Sequence, residues 1–275
     1  MMRFMKAGLL IGVVSLLGSC MKDSAVEDVP PPGTSVPAGS LDRMEWGNGL
    51  TGYFDYNTDS TLRTIQYNLG GSSAKTIFER TQGRLSTIAD DASLYRNVYN
   101  YNLDNQLVFV ENVQKSNNAS QFRLEYTYNA QGLVDSMKYF STNGGTKTLR
   151  TRSGYQYDAA GMLLSVETES GNNMVLSQIE AWSPEISFMP EMYYDVLLTE
   201  NYDIYNLPVL SQRKMLPSKI TRKVKPTTGG TYTTDKTQQI TFTVSGKKVT
   251  KTTTEVSFPN VPGSNTSLTA NYVYR

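Results

Sequence analysis

Tyr126-Thr127-Tyr128-Asn129-Ala130-Gln131-Gly132-Leu133-Val134-Asp135-Ser136-Met137 is the stretch whose reading decides the fold. Its two alternating tyrosines suit a pleated strand with one half-buried face. Asn129 opens a type I turn. Gly132, three residues later, accepts the left-handed backbone of the bulge that closes such a turn, and Val134 and Met137 resume an apolar face on the way back. Two more copies flank it. Tyr99-Asn100-Tyr101-Asn102 runs through Asn105 to Leu107 and Val110, and Tyr155-Gln156-Tyr157-Asp158 runs through Gly161 to Leu163 and Val166. With the second Tyr as position zero, each copy has Asn or Asp at +1, Gly or Asn at +4, an aliphatic at +6 and an aliphatic or Met at +9. Each copy spells a β-hairpin.

Weaker copies lie upstream. Tyr56-Asn57 leads through Ser60 to Leu62 and Ile65; Glu79 leads through Gly83 to Leu85 and Ile88, with Ile77 and Glu79 standing where the tyrosines would be. The zero positions 56, 79, 101, 128 and 157 are 23, 22, 27 and 29 residues apart, a period that marks stacked supersecondary units. Gly70-Gly71-Ser72-Ser73, Asn117-Asn118 and Asn143-Gly144-Gly145 read as loops at the opposite ends of the hairpins. Beyond the repeats, Leu216 to Ile220 restarts strand character. Ile240, Phe242 and Val244 alternate into a turn at Ser245-Gly246-Lys247, and Leu268 to Tyr274 supplies a last strand. The fold expected is all-β, an antiparallel meander of hairpins forming a strongly curved open sheet or barrel-like structure, with at most one short helix. The late strands are rich in Thr and Lys, and the basic run Lys219, Arg222, Lys223 and Lys225 reads as a solvated face. They lack the outward apolar band of an outer-membrane barrel.

The amino terminus is legible separately. Arg3 and Lys6 precede an apolar run from Ala7 to Leu17, the length of a secretory signal and short of a membrane span. Leu17-Gly18-Ser19-Cys20 resembles the lipobox of bacterial lipoproteins, which implies cleavage after residue 19, acylation of Cys20 and anchoring by lipid rather than by a span. Met21-Lys22-Asp23 is similar to the surface-export signal of Bacteroidetes lipoproteins. Residues 20–40 hold Pro30, Pro31, Pro32 and Pro37 and read as a tether, leaving 41–275 as one hairpin-repeat domain. The phrase Tyr-x-Tyr-Asp/Asn-x-x-Gly-x-Leu also resembles the YD repeat of rearrangement-hotspot and teneurin-type proteins, which wind a long sheet into a hollow shell. A nearer resemblance is to short Bacteroidetes lipoproteins of unknown function with YD-like hairpins and a porin-like sheet. It implies an outer-membrane lipoprotein, at the cell surface or on the periplasmic face, and implies no activity.

Composition narrows the chemistry. The chain contains no histidine and one cysteine, Cys20, which removes Ser-His-Asp and Cys-His catalysis, intramolecular disulfides and thiolate or imidazole metal sites. No cofactor or metal is expected. The formal charge is +1, and loss of residues 1–19 with Arg3 and Lys6 leaves −1, so no electrostatic footprint for nucleic acid exists.

The pattern breaks between residues 179 and 215. Trp182, Phe188, Tyr193, Tyr194, Tyr202 and Tyr205 crowd there among Pro184, Pro190 and Pro208, and Glu191 to Tyr202 suits a short helix bearing Met192, Val196 and Leu197. Long connections on rigid scaffolds often bind, so these six aromatics are the candidate ligand site, with a glycan the expected ligand. The competing reading makes the insertion a plug that buries its aromatics at an open end of the sheet. Three functions follow: a non-catalytic binding or scaffold lipoprotein; a structural or adhesion protein acting through surface-protein partners, by strand addition to a free edge; and a two-carboxylate glycoside hydrolase, for which Asp90, Asp91, Glu180, Glu185, Glu191 and Asp195 are available but unpaired by spacing.

Overall fold

The turn chemistry of the repeated phrase is realised atom by atom in the computed structural model, which describes residues 39–193, 203–261 and 263–275. Asn129 N–H donates to the Leu133 carbonyl and Gly132 N–H to the Asn129 carbonyl, both at 2.9 Å. The Asn129 side-chain oxygen accepts from Gln131 N at 2.9 Å and Leu133 N at 3.0 Å. Gly132 has φ +77°. Asp158 repeats the arrangement through Ala160 and Met162. At +4, Ser60 and Asn105 take φ +66° and +67° without being glycine; the turns are capped by Asp59 on Thr61 N and by Asn102 on Gln106 N. The Glu79 copy differs: Gln82 and Gly83 both have positive φ, between the paired residues Thr81 and Arg84. That is a two-residue turn of the mirror-image type, whose twist matches the strands it joins.

Sixteen antiparallel strands follow one another around the wall: β1 (Leu41–Trp46), β2 (Thr51–Tyr56), β3 (Leu62–Leu69), β4 (Ser72–Thr81), β5 (Arg84–Asp90), β6 (Tyr95–Tyr101), β7 (Leu107–Gln114), β8 (Ser120–Tyr128), β9 (Val134–Asn143), β10 (Thr146–Tyr157), β11 (Leu163–Ser170), β12 (Asn173–Trp182), β13 (Pro217–Pro226), β14 (Thr233–Ser245), β15 (Lys248–Ser257) and β16 (Thr266–Tyr274). Every strand pairs with its sequence neighbours, and β1 pairs with β16 through Leu41↔Tyr274 to Trp46↔Ala270. The sheet therefore closes into a barrel, and among the described strands no edge is left for strand addition.

The repeat turns all lie at one end, called here the turn end; the loops at 47–50, 70–71, 91–94, 115–119, 144–145, 171–172, 227–232 and 258–265 form the far end. Strands joined at the far end would splay at the turn end, and the zero-position tyrosines Tyr56, Tyr128 and Tyr157 hold their pairs together there. Tyr128, ending β8, donates its hydroxyl to the carbonyl of Leu107, which starts β7. Tyr157 does the same from β10 to Val134 of β9, and Tyr56 from β2 to Leu41 of β1, each at 2.7 Å. The Tyr274 hydroxyl of β16 likewise bonds the backbone of Val249 in β15. The pairs β1–β2, β7–β8, β9–β10 and β15–β16 are thus stitched at this rim.

The pleat sends the repeat tyrosines and aliphatics inward, and the core lies in the lumen: Phe54, Leu62, Ile65, Val134, Leu163 and Val166 are at most 1% exposed. The outer face is polar. The β14–β16 rows there read Thr241–Thr253–Thr269 and Thr243–Lys251–Asn271. The β8–β9 rows read Glu125–Lys138 and Thr127–Ser136, and outward Phe109 is covered by the Arg123 guanidinium at 3.5 Å. This is the reverse of a lipid-facing barrel.

Sixteen strands enclose more space than wall side chains fill. The connection from β12 to β13 turns into the turn end and supplies Ile186, Met192, Tyr193, Ile204, Tyr205, Val209 and Leu210, all buried. It is shorter in loop than its sequence suggests, because Ile179–Trp182 are claimed by β12 through Ile179↔Ile220 and Trp182↔Pro217. The helix expected over Glu191 to Tyr202 is, as far as Tyr193, a 3-10 turn (Pro190–Tyr193), and residues 194–202 lie outside the described residues. A single α-helical turn, α1 (Leu207–Leu210), follows, capped by the Asn206 side chain on Val209 N; Pro208 suits its first turn.

Burial holds the stitching hydroxyls protonated, raising Tyr128, Tyr157 and Tyr274, and likewise Tyr101, to about 12. An unfolded chain ionises its tyrosines near pH 10, so stability must fall as pH rises from about 10 to about 12. Tyrosinate absorbance should lag behind that of free tyrosine and then rise together with loss of the circular-dichroism signal of the sheet. Tyr128→Phe should lower stability by about 1 kcal/mol in urea titration; an unchanged midpoint would show that the stitch contributes nothing.

Candidate functional site

The plug does not fill the lumen. Between it and β5–β10 remains a cavity of about 490 Å³, within the range that accommodates small organic ligands. Its wall is built by alternation. Phe122, Leu124 and Tyr126 face inward from β8, Tyr99 and Asn97 from β6, Met137 and Tyr139 from β9, Thr151 from β10, and Ile88 and Asp90 from β5. Pro190, Glu191, Tyr205, Asn206 and Leu207 of the plug form its floor. The wall residues nearer the plug, Tyr99, Leu124, Tyr126 and Met137, are buried, whereas Asp90, Phe122, Tyr139 and Thr151 are half-buried. The cavity therefore opens toward the far end.

Four rings line its wall, Tyr99, Phe122, Tyr126 and Tyr139, and Tyr205 adds a fifth from the floor; Phe122 and Tyr139 are tilted at 60° and 5.6 Å apart. The polar groups are partly committed. Asp90 Oδ1 accepts from Thr76 at 2.6 Å, Asn97 Oδ1 accepts from Asn112 at 2.8 Å, and Glu191 accepts from Arg80 at 2.6 Å. Asn206 is committed between plug and wall, donating to the Tyr155 hydroxyl of β10 and to the Asp203 carbonyl. Beside the cavity a polar layer continues through Ser153, Thr168 and Asp203: the two hydroxyls lie 2.8 Å apart, and Thr168 donates to the Asp203 carboxylate at 3.1 Å.

The aromatics singled out in the insertion divide. Phe188 and Tyr193 meet edge to face at 5.7 Å, and Tyr193 stacks on Tyr205 at 6.4 Å. Tyr193 and Tyr205 are 4% and 1% exposed, so they are used in packing the plug; among the described members of this set, Tyr205 alone lines the cavity. Trp182 is half-buried, with the Arg213 guanidinium 5.0 Å over its ring and 5.9 Å from Tyr157; burial there lowers Arg213 to about 10. Tyr194, Tyr202, Asp195 and Cys20 lie outside the described residues. Of the carboxylates, Asp90 and Glu191 share the cavity, Asp91 caps the loop after β5, and Glu180 and Glu185 pair with Lys219 and Lys247 on the outside. Among the described residues no three potential metal ligands converge. Sequence reasoning missed Asn97, Phe122, Tyr139 and Thr151. The signal was present for Phe122, which continues the alternation Phe122-Leu124-Tyr126-Tyr128.

The barrel wall is similar to that of a porin-like protein. The structure of one from Bacteroides uniformis matches with a TM-score of 0.56 over 87% of this chain and 99% of its own, at 13% identity. A second, from Bacteroides vulgatus, matches with a TM-score of 0.45 over 86% and 99%, at 11% identity. The TcdB2-TccC3-Cdc42 structure matches with a TM-score of 0.35 over 81% of this chain and 13% of its own, at 12% identity. No protein-family model matches the sequence, and no curated protein matches it. At 13% identity the first likeness is one of fold.

The plug is fastened to the wall by the Arg80–Glu191 ion pair, whose side chains are 17% and 13% exposed, and by Gln212 Nε2 on the Gly132 carbonyl. Truncating Arg80 leaves Glu191 charged and poorly solvated, so Arg80→Ala should cost about 2 kcal/mol, and Glu191→Gln less. Urea unfolding measures both; equal midpoints for wild type and Arg80→Ala would show the pair to be idle.

Proposed function

We propose that this chain is a lipoprotein of the bacterial envelope whose barrel captures a small organic molecule in its lumen without turning it over. The observation that carries the reading is the cavity of about 490 Å³ walled by Tyr99, Phe122, Tyr126 and Tyr139 and open at the end opposite the plug. A concave, mostly apolar site with a few placed polar groups is what ligand capture requires. The polar outer face argues against a pore embedded in lipid, and the lipobox-like Leu17-Gly18-Ser19-Cys20 supports attachment by acyl chains instead. Ring stacking, which a glycan would need, is available on the cavity wall rather than on the insertion's own tyrosines. A surface-protein partner remains open to the outer face, but strand addition has no edge to use.

A carboxylate hydrolase is the second reading, and one observation favours it: Asp90 and Glu191 line the same cavity. Against it, Glu191 is held by Arg80 and Asp90 by Thr76.

The test uses the soluble 21–275 form and the neutral fluorophore N-phenyl-1-naphthylamine. Wild type should enhance its fluorescence. Thr151→Trp, which fills the mouth from an inward position on β10, should abolish the enhancement while leaving the melting temperature within a few degrees. Equal enhancement by both forms would place the probe elsewhere and overturn the reading. Recovery of an added disaccharide unchanged after prolonged incubation separates capture from hydrolysis.

A further inference from the structure

The charges around the cavity are one-sided. Its lining carries two carboxylates, Asp90 and Glu191, and among the described residues no lysine or arginine. Two cations that contact lining residues are held by other groups. Arg80 binds Glu191 from behind the lining at 2.6 Å, and Lys115, exposed in the far-end loop, donates to the backbone carbonyl of Asp90 at 2.7 Å. Arg80 offsets Glu191, which leaves Asp90 as the charge that meets a ligand. Asp90 ends β5 on the mouth side, with one carboxylate oxygen bound by Thr76. Tyr99, Phe122, Tyr126 and Tyr139 line the same space, and an aromatic face carries negative potential, which attracts a cation and repels an anion. Carboxylate and rings therefore select in the same direction.

Resting on the capture reading above, we propose that the lumen site takes an organic cation, an amine or quaternary ammonium on an apolar or aromatic body. Its charged group lies between Asp90 and the rings, and its body lies toward Leu124 and Leu207. A bare metal ion does not fit this description, because most of the surface offered is hydrocarbon and ring. An anionic ligand of the same size would face Asp90 without a counter-charge and lose its hydration for nothing in return.

Isothermal titration of the soluble 21–275 form with benzyltrimethylammonium, benzyl alcohol and phenylacetate tests this, with Asp90→Asn and Thr151→Trp as variants. Asp90→Asn keeps an acceptor for Thr76 and removes only the charge. Wild type should bind the cation about 10-fold or more tightly than either other probe. Asp90→Asn should narrow that preference to about 3-fold or less, and Thr151→Trp should abolish binding. Benzyl alcohol or phenylacetate bound as tightly as the cation, and lost in Thr151→Trp, would overturn the ligand class and leave capture standing. An unaltered preference in Asp90→Asn would overturn the role given to that carboxylate. No binding of any of the three, together with no response to N-phenyl-1-naphthylamine, would overturn both.

Discussion

Closure of the sheet is the constraint on which the rest of the structure depends. Once β1 hydrogen-bonds to β16, the wall has no free edge, and sixteen strands surround a lumen too wide for inward side chains to meet across it. An empty apolar lumen would forfeit the burial that stabilises the barrel. The insertion between β12 and β13 resolves this by bringing in its own core of Tyr193, Tyr205, Val209 and Leu210. It fills one end and one side, and what it leaves unfilled is the cavity. Plug and site are two outcomes of one mismatch between circumference and side-chain length.

Polarity follows from the same closure. In a barrel dissolved in lipid the outer face must be apolar, and a wide lumen can be wet. Here the order is inverted, with threonine, lysine and glutamate rows outside and the aromatic ladder within. Similarity of backbone to a porin-like protein therefore coexists with a surface suited to water. The fold alone does not decide between a channel and a cup; the direction in which each strand points its hydrophobic residues does.

Much of this was legible in the sequence because it is local. Asn129, Gly132 and Tyr128 act within one hairpin or on the next strand, so their spacing displays their roles. The Glu79 copy was read with the same turn as its neighbours and has a shorter one, because Gln82 accepts a left-handed backbone that its residue type does not advertise. The insertion announced itself by its aromatic excess, but an excess of tyrosine reads alike whether the rings face solvent or one another. Closure and cavity were beyond reach for a different reason. They rest on pairs such as Leu41 with Tyr274, and Arg80 with Glu191, 111 residues apart, which no short-range pattern encodes.

The seam that closes the barrel also decides where the preceding residues enter it. Arg275 N donates to Ser40 O at 3.1 Å, and both β1 and β16 have these termini at the plug end. Residue 39 and those before it therefore join the barrel on the side away from the cavity mouth. An attachment made through the amino-terminal residues would thus leave the mouth unobstructed, because entrance and attachment lie at opposite poles of the barrel.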